Sequence, residues 1–300
     1  MTPHRVTNPF ARTVFVVTTC LLGAGSSWGV GKGPVLATDV YVAGEVGYGV
    51  TSTLIYGPSE AMLIDAQFTN SDAARVRVWI QAKHRTLTAI FLTLPVGDHY
   101  FGLAVLHAAF PGATIYMTAA TVAEYDRIRA GALASSKKRA PADTPDALPE
   151  ATPLRDAFLS IDGQRVDILE DLQGDFAQAP LNSAVWIAAQ RVLVTGDLAF
   201  NGVHPWHRKS TEVGRAAWRA SIEQLESLHP LIVIAGHKWA SNLADSLNVL
   251  PFMGRYLTDA DQTLKTSMNA ASYEAAMKEK YPTLGQEVFL TYAAKGFYPE

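Results

Sequence analysis

Three apolar, β-branched runs in this chain each stop at an acid or an imidazole, and these stops constrain the fold more than any other feature. Leu87-Thr88-Ala89-Ile90-Phe91-Leu92 has the character of a buried strand and leads through Thr93-Leu94-Pro95-Val96 to Gly97-Asp98-His99. Arg191-Val192-Leu193-Val194-Thr195 stops at Gly196-Asp197, and Leu231-Ile232-Val233-Ile234-Ala235 stops at Gly236-His237. Such ends meet where strands of packed sheets finish along a common edge.

The segments between these runs fill in the architecture. Tyr41–Ala43, Gly49–Tyr56 and Ala61–Asp65 read as strands, the last two joined by the turn Gly57-Pro58-Ser59-Glu60. Ser71-Asp72 caps a helix to about His84, with Ala74, Val76, Val78, Trp79 and Ile80 along it. A helix follows Asp98-His99 as far as Phe110, then a strand over Thr114–Met117 and a helix over Thr118–Arg129. Residues 131–153 are rich in Ala, Ser, Lys, Pro and Asp with little periodicity. They read as a loop inserted near the site, a lid or a plain surface loop. Ala184–Ala188 and Arg191–Thr195 form a second hairpin, Gly214–Leu228 is an amphipathic helix, and the C-terminal part is mostly helical. Hairpins alternating with helices in two halves predict an α+β fold, two mixed sheets packed together and flanked by helices.

Composition narrows the function classes. A hydrophobic share of 48% and a charged share of 18% belong to a globular chain with a substantial core. The net charge of −3 gives no electrostatic case for nucleic acid. The one basic cluster, Lys137-Lys138-Arg139, reads as solvated loop. A single cysteine, Cys20, excludes an internal disulfide and a Cys-rich zinc site, so any metal is held by His, Asp or Glu. At the N-terminus Arg5 and Arg12 precede the apolar Thr13–Gly23 and the small residues Ala24-Gly25-Ser26. That is a signal-peptide pattern over residues 1–30, too short to span a bilayer. The expectation is a periplasmic or secreted protein with no membrane attachment after signal removal; a cytoplasmic one with an extended N-terminus is the alternative. Residues 40–300 then form a single domain.

Each member of the polar constellation has an ordinary reading by itself. Asp98-His99 is also what a helix N-terminus looks like, Asp197 a turn residue, His237 a helix cap. Together they are more specific, because each follows an apolar strand and a glycine precedes Asp98, Asp197 and His237. Glycine lets backbones approach closely around a crowded ionic site. Two His and two Asp are N and O ligands that Zn²⁺ accepts, and similar sets hold Fe or Mn.

The stretch Thr93 to His99 resembles the His-x-His-x-Asp-His signature of the metallo-β-lactamase superfamily, in which it follows a Thr. The hairpin Ser52–Asp65, the Val192–Asp197 strand and the Ile234–His237 strand match further elements of that family in order, from about residue 40 to 260. The resemblance implies the family's αββα sandwich and a metal site. Carried over by position, it implies Asp98, His99 and His237 as one site's ligands and Asp197 as the bridging carboxylate. Asp65 then matches an Asp that supports the site from behind. The ligands of the family's other site are replaced: Leu94 and Val96 stand where two histidines belong, and Gln178 stands at the third.

This half-set predicts one Zn (or Fe or Mn) per chain, held by Asp98, His99, Asp197 and His237, or no metal at all. Beside it Leu94, Val96 and Gln178 line a pocket turned apolar. Asp98 and Asp197 are candidate catalytic carboxylates, and His204 a candidate proton carrier. Trp206 and Lys238 are further candidates for the substrate pocket. The leading expectation is a single-metal hydrolase of a small ester, lactone, amide or thioester. The alternatives are a metal-independent lyase, isomerase or cyclase using the Leu94/Val96 pocket, or a non-catalytic binding protein on the same fold.

Overall fold

Alternation along the early strands sorts side chains into two layers. Leu54 and Leu63 face one way, into a core shared with Val76, Ile80, Leu103 and Tyr125; Ile55, Met62 and Ile64 face the other way, into a core shared with Ile168, Val185 and Val194. A strand buried on both faces has period-2 side chains in two separate cores, which requires a layer on each side. The computed structural model describes residues 35–175, 179–208 and 210–299. The expected signal peptide and Gln178 lie outside the described residues.

The first sheet has the order β1 (Ala37–Val42), β2 (Thr51–Tyr56), β3 (Glu60–Ile64), β4 (Thr86–Phe91), β5 (Thr114–Met117), β6 (Thr152–Pro153). The first three pair antiparallel; β3 through β6 pair parallel. Parallel neighbours need crossovers. Helix α1 (Asn70–Gln81) supplies one, the short α2 (Gly97–Tyr100) and α3 (Leu103–Ala109) the next, and α4 (Ala119–Arg139) the third. The Thr69 side chain, slightly earlier than expected, caps α1 by accepting from the Asp72 amide.

The second sheet contains β7 (Phe158–Ile161), β8 (Gln164–Leu172), β9 (Asn182–Ile187) and β10 (Val192–Val194), with β11 (Phe200–Asn201) lying outside it. After α5 (Glu212–Glu226), β12 (Ile232–Ile234) joins it parallel to β10, giving the order β12-β10-β9-β8-β7. A short β13 (His237–Lys238) pairs with β11. The outer face of this sheet, with Trp186, Leu193 and Val233, is covered by Trp218, Ile222 and Leu225 of α5 and by Leu250, Met253 and Leu257 of α6 (Val249–Thr266). Helices α7 (Ala270–Lys280) and α8 (Glu287–Phe297) pack on α6 through Tyr256, Tyr273, Met277 and Leu290. The result is helices, sheet, sheet, helices, as the strand pattern predicts. Among the described residues no helix is long and apolar enough to cross a membrane.

Two expectations need correction. Residues 131–139 are the last turns of α4, not loop. Their alanines have high helix propensity even though no apolar stripe advertises it. The hairpin β7–β8 is additional to the expected elements. It closes on Asp162-Gly163, both with positive φ, in the left-handed geometry of a tight two-residue turn.

Candidate functional site

The site assembles where β4, β10 and β12 end. Beyond β4 the chain runs through Thr93 and Leu94 to Val96, whose extended backbone starts α2 and so sets Asp98 and His99 side by side. Beyond β10 the turn at Gly196 delivers Asp197, and beyond β12 Gly236 delivers His237. These glycines are required by space. A Cβ on Gly196 (φ +50°) would lie 2.3 Å from Thr93 Oγ1, and one on Gly236 would lie 2.7 Å from Asp197 Oδ1.

Both imidazoles present Nε2 to one oxygen. His99 Nε2 is 3.0 Å and His237 Nε2 is 3.3 Å from Asp197 Oδ1, and His237 Nε2 is 3.5 Å from Asp98 Oδ2. Ligand atoms of Asp98, His99 and His237 all lie within 4.8 Å of one another. The far side of each ring is held. His237 Nδ1 is 2.9 Å from the Tyr48 carbonyl oxygen, a contact in which the ring N–H donates. The same ring stacks on Phe200, centroids 5.0 Å apart. His99 Nδ1 is 3.0 Å from Asp65 Oδ2. Asp65 in turn accepts from the Thr93 amide at 2.9 Å and the Thr93 hydroxyl at 2.8 Å, with its own backbone at φ +60°. A left-handed non-glycine residue at this point is held by its neighbours, a form of strain common at functional sites. This arrangement fixes both histidines with Nδ1 protonated and Nε2 turned inward, the orientation that metal-binding histidines take.

The electrostatics follow from burial. Burial opposes charge on His99, but the Asp197 and Asp65 carboxylates outweigh it and raise its pKa well above the ordinary value. His237 is raised in the same contest, chiefly by Asp197. Burial works against ionised Asp197 too, yet the two imidazoles hold its carboxyl far below the usual range. Asp98 is raised, by burial first. Asp197 Oδ1 therefore lies between two inward-facing Nε2 atoms. The Oδ1 atom of Asp98 is buried without a hydrogen-bond partner. A buried carboxylate oxygen left over beside two inward Nε2 atoms is the donor set a divalent cation satisfies, so the residues present fit a metal.

The acids form the floor of a cavity of about 390 Å³. Val96 and Trp206 line it, as do Asp98 and Asp197. Asp175 lines it too, and the sequence reading missed this residue. It follows β8, is buried, and its Oδ1 has no hydrogen-bond partner. Burial first, then the Asp197 and Asp98 carboxylates, push its carboxyl well above the ordinary range. Its only sequence signal is the Gly174-Asp175 pair, which matches the Gly-Asp pairs at Asp98 and Asp197 without their clean apolar run.

Three expected pocket residues lie elsewhere. His204 is buried with Nδ1 2.9 Å from the Tyr256 hydroxyl, and burial pushes its pKa down to about 4. It is a neutral packing residue among helices, not a proton carrier at the cavity. Leu94 is fully buried and does not line the cavity. Lys238 is buried and pairs with Asp245 at 2.8 Å, because pairing in β13 turns it away from the cavity.

The family model described as the metallo-beta-lactamase superfamily matches residues 46–237. Among solved structures, a metallo-beta-lactamase family protein from Thermus thermophilus is similar with a TM-score of 0.61 at 17% identity, covering 86% of this chain and 90% of that one. The metallo-beta-lactamase FIM-1 from Pseudomonas aeruginosa, solved in a mono-zinc form, is similar with a TM-score of 0.53 at 13% identity, covering 75% and 91%. A metallo-beta-lactamase from Hirschia baltica is similar with a TM-score of 0.52 at 17% identity, covering 76% and 95%. These likenesses concern the fold. No curated protein matches the sequence.

Proposed function

This chain belongs to the metallo-beta-lactamase superfamily, and we propose that it is a single-metal hydrolase of a small ester, lactone, amide or thioester. The observation that carries the reading is the convergence of Asp98, His99 and His237 ligand atoms within 4.8 Å, with the rear nitrogen of each ring already held. Asp98, His99 and His237 would hold the ion, with Asp197 beside both imidazoles. An ion held there would supply Lewis-acid chemistry, the acidifying of a water and the polarising of a carbonyl. No second ion is expected. Leu94 and Val96 have no donor atoms, and Leu94 is sealed in the core.

The chain's own residues divide the remaining work. Asp65 and the Tyr48 carbonyl keep both rings in one tautomer, so that Nε2 carries the lone pair. Asp197 Oδ1, 3.0 Å from His99 Nε2 and 3.3 Å from His237 Nε2, would orient a water at the point where the two rings meet. Asp175, a buried carboxyl whose proton is held more tightly by burial and by the Asp197 and Asp98 carboxylates, would donate to the leaving oxygen, nitrogen or sulfur as the acyl bond breaks. Aromatic side chains lining the cavity, Phe68, Phe101 and Trp206 among them, would exclude bulk water and take the substrate's apolar body.

The test is turnover of an aryl ester, a lactone, an anilide and a thioester by protein loaded with one equivalent of zinc, against protein stripped by chelation. Hydrolysis of at least one class only when loaded supports the reading. Equal turnover by stripped and loaded protein, or a loaded protein inert to all four, contradicts it.

A further inference from the structure

Six of the cavity's lining side chains are aromatic, and they form one unbroken belt. Phe101 touches Phe68 (centroids 5.7 Å), Phe68 touches Tyr48 (5.4 Å), Tyr48 touches Phe289 (5.5 Å), Phe289 touches Trp206 (5.3 Å) and Trp206 touches Tyr292 (5.8 Å). A belt of ring faces and edges favours a flat, conjugated body that can stack. It is far more than exclusion of water requires.

The exposed end of the same cavity carries two arginines. Arg139 comes from the last turn of α4 and Arg208 from the loop before α5. Both are exposed, whereas the acids Asp175 and Asp197 on the floor are buried. Charge is therefore graded along the cavity, basic at the mouth and acidic at the base. Several basic residues in these regions are paired: Arg127 with Glu124, Arg129 with Asp126, Lys137 with Asp146, and both Arg215 and Arg219 with Asp261. Among the described residues neither Arg139 nor Arg208 has a carboxylate partner. Arg139 reaches only Ser135 Oγ, at 3.5 Å, and Arg208 lies over the Tyr292 ring, 5.7 Å from its centroid. A guanidinium laid against a ring keeps its fork of N–H donors available for a planar oxyanion.

We infer that the substrate is an aromatic or conjugated carbonyl compound bearing a carboxylate, its ring in the belt, its carboxylate at Arg139 and Arg208, and its scissile carbonyl at the acidic floor. This rests on the hydrolytic reading of the site and adds the substrate class. The bond to be cleaved and the anion then sit at opposite ends of one flat molecule. That separation also keeps the anion away from Asp98, Asp175 and Asp197.

The test compares binding of naphthalene-2-carboxylate with that of naphthalene-2-carboxamide, by calorimetry on zinc-loaded and on chelator-stripped protein. Wild-type protein is expected to prefer the carboxylate about five- to tenfold, as a charge-assisted contact to an arginine gives. The double variant Arg139→Gln/Arg208→Gln is expected to lose that preference and keep its affinity for the amide. Phe68→Ala, which removes a belt ring that touches neither arginine, is expected to weaken both ligands alike. No preference in wild type overturns the inference, as does a preference that survives the double variant, which would place the anion on the metal. Both arginines are on the surface, so the variants are expected to fold, and unchanged melting temperatures check this. Failure of the underlying reading is distinguishable. Arginine-dependent discrimination in a protein that binds no zinc leaves the anion site standing without the hydrolase, whereas zinc binding and turnover without discrimination leave the hydrolase without the anion site.

Discussion

Replacing Asp65 separates the support of the metal centre from the centre itself. The carboxylate is buried, accepts two hydrogen bonds from Thr93, and lies 3.0 Å from His99 Nδ1. Asp65→Ala strands the Thr93 amide, the Thr93 hydroxyl and one side of the His99 ring. Hydrogen bonds to a charged group contribute about 1.5–3 kcal/mol each, so the loss of two puts the cost at roughly 3–6 kcal/mol. Asp65→Asn keeps one carbonyl oxygen for the Thr93 amide and is expected to recover roughly half of that. It does not restore the carboxylate behind His99. Both variants should therefore lose zinc affinity by about 10- to 100-fold, the usual effect of removing a group that orients a metal-bound histidine. Urea denaturation reads the first quantity, and competition with a chromophoric chelator reads the second. An Asp65→Asn protein with wild-type zinc affinity would refute the reasoning, because Asp65 would then be a strut for Thr93 and nothing more.

Three other outcomes follow from the same geometry. Asp175→Asn should retain wild-type zinc content, since Asp175 is outside the ligand cluster, while turnover falls by about 10²-fold or more, as loss of a general acid does; metal analysis and steady-state kinetics check the two halves. The neutral His207 is buried between the Pro205 carbonyl and the Tyr273 hydroxyl, and burial pushes its pKa down to about 4. The unfolded chain takes up that proton near pH 6.5, so this contribution is fully present above about pH 6.5 and is lost as pH falls toward 4, about 3 kcal/mol in all; urea midpoints from pH 7.5 to 4.5 should fall less steeply in His207→Gln than in wild type. Leu94→His with Val96→His should not recruit a second zinc, because position 94 lies in the core, and should lower stability by about 1–3 kcal/mol through a buried polar ring.

The architecture was legible because burial leaves a strong trace in this sequence. The apolar runs ending at Asp98, Asp197 and His237 are strands lying between two layers, and their ends do meet. What escaped the sequence reading has physical reasons. The last turns of α4 are helical through alanine propensity with little apolar face, so 131–139 resembles loop. Its end residue, Arg139, looked like one of three solvated cations, yet lines the cavity. Strand β8 alternates Val166 and Ile168 with charged residues, which weakens its pattern, and Asp175 beyond it has no apolar strand end as clean as the other acids. His204 is close in sequence to Asp197, but the chain turns inward at Val203, and its ring ends in the helical core.

The central claim is a single metal ion where the family has room for two, held by Asp98, His99 and His237. Elemental analysis of the protein purified without chelator, alongside His99→Ala and His237→Ala, tests it most directly. The account predicts about one zinc, iron or manganese per chain in the wild type, as a mononuclear site holds, and essentially none in either variant. Two ions per chain, none, or one that persists in both variants would contradict it.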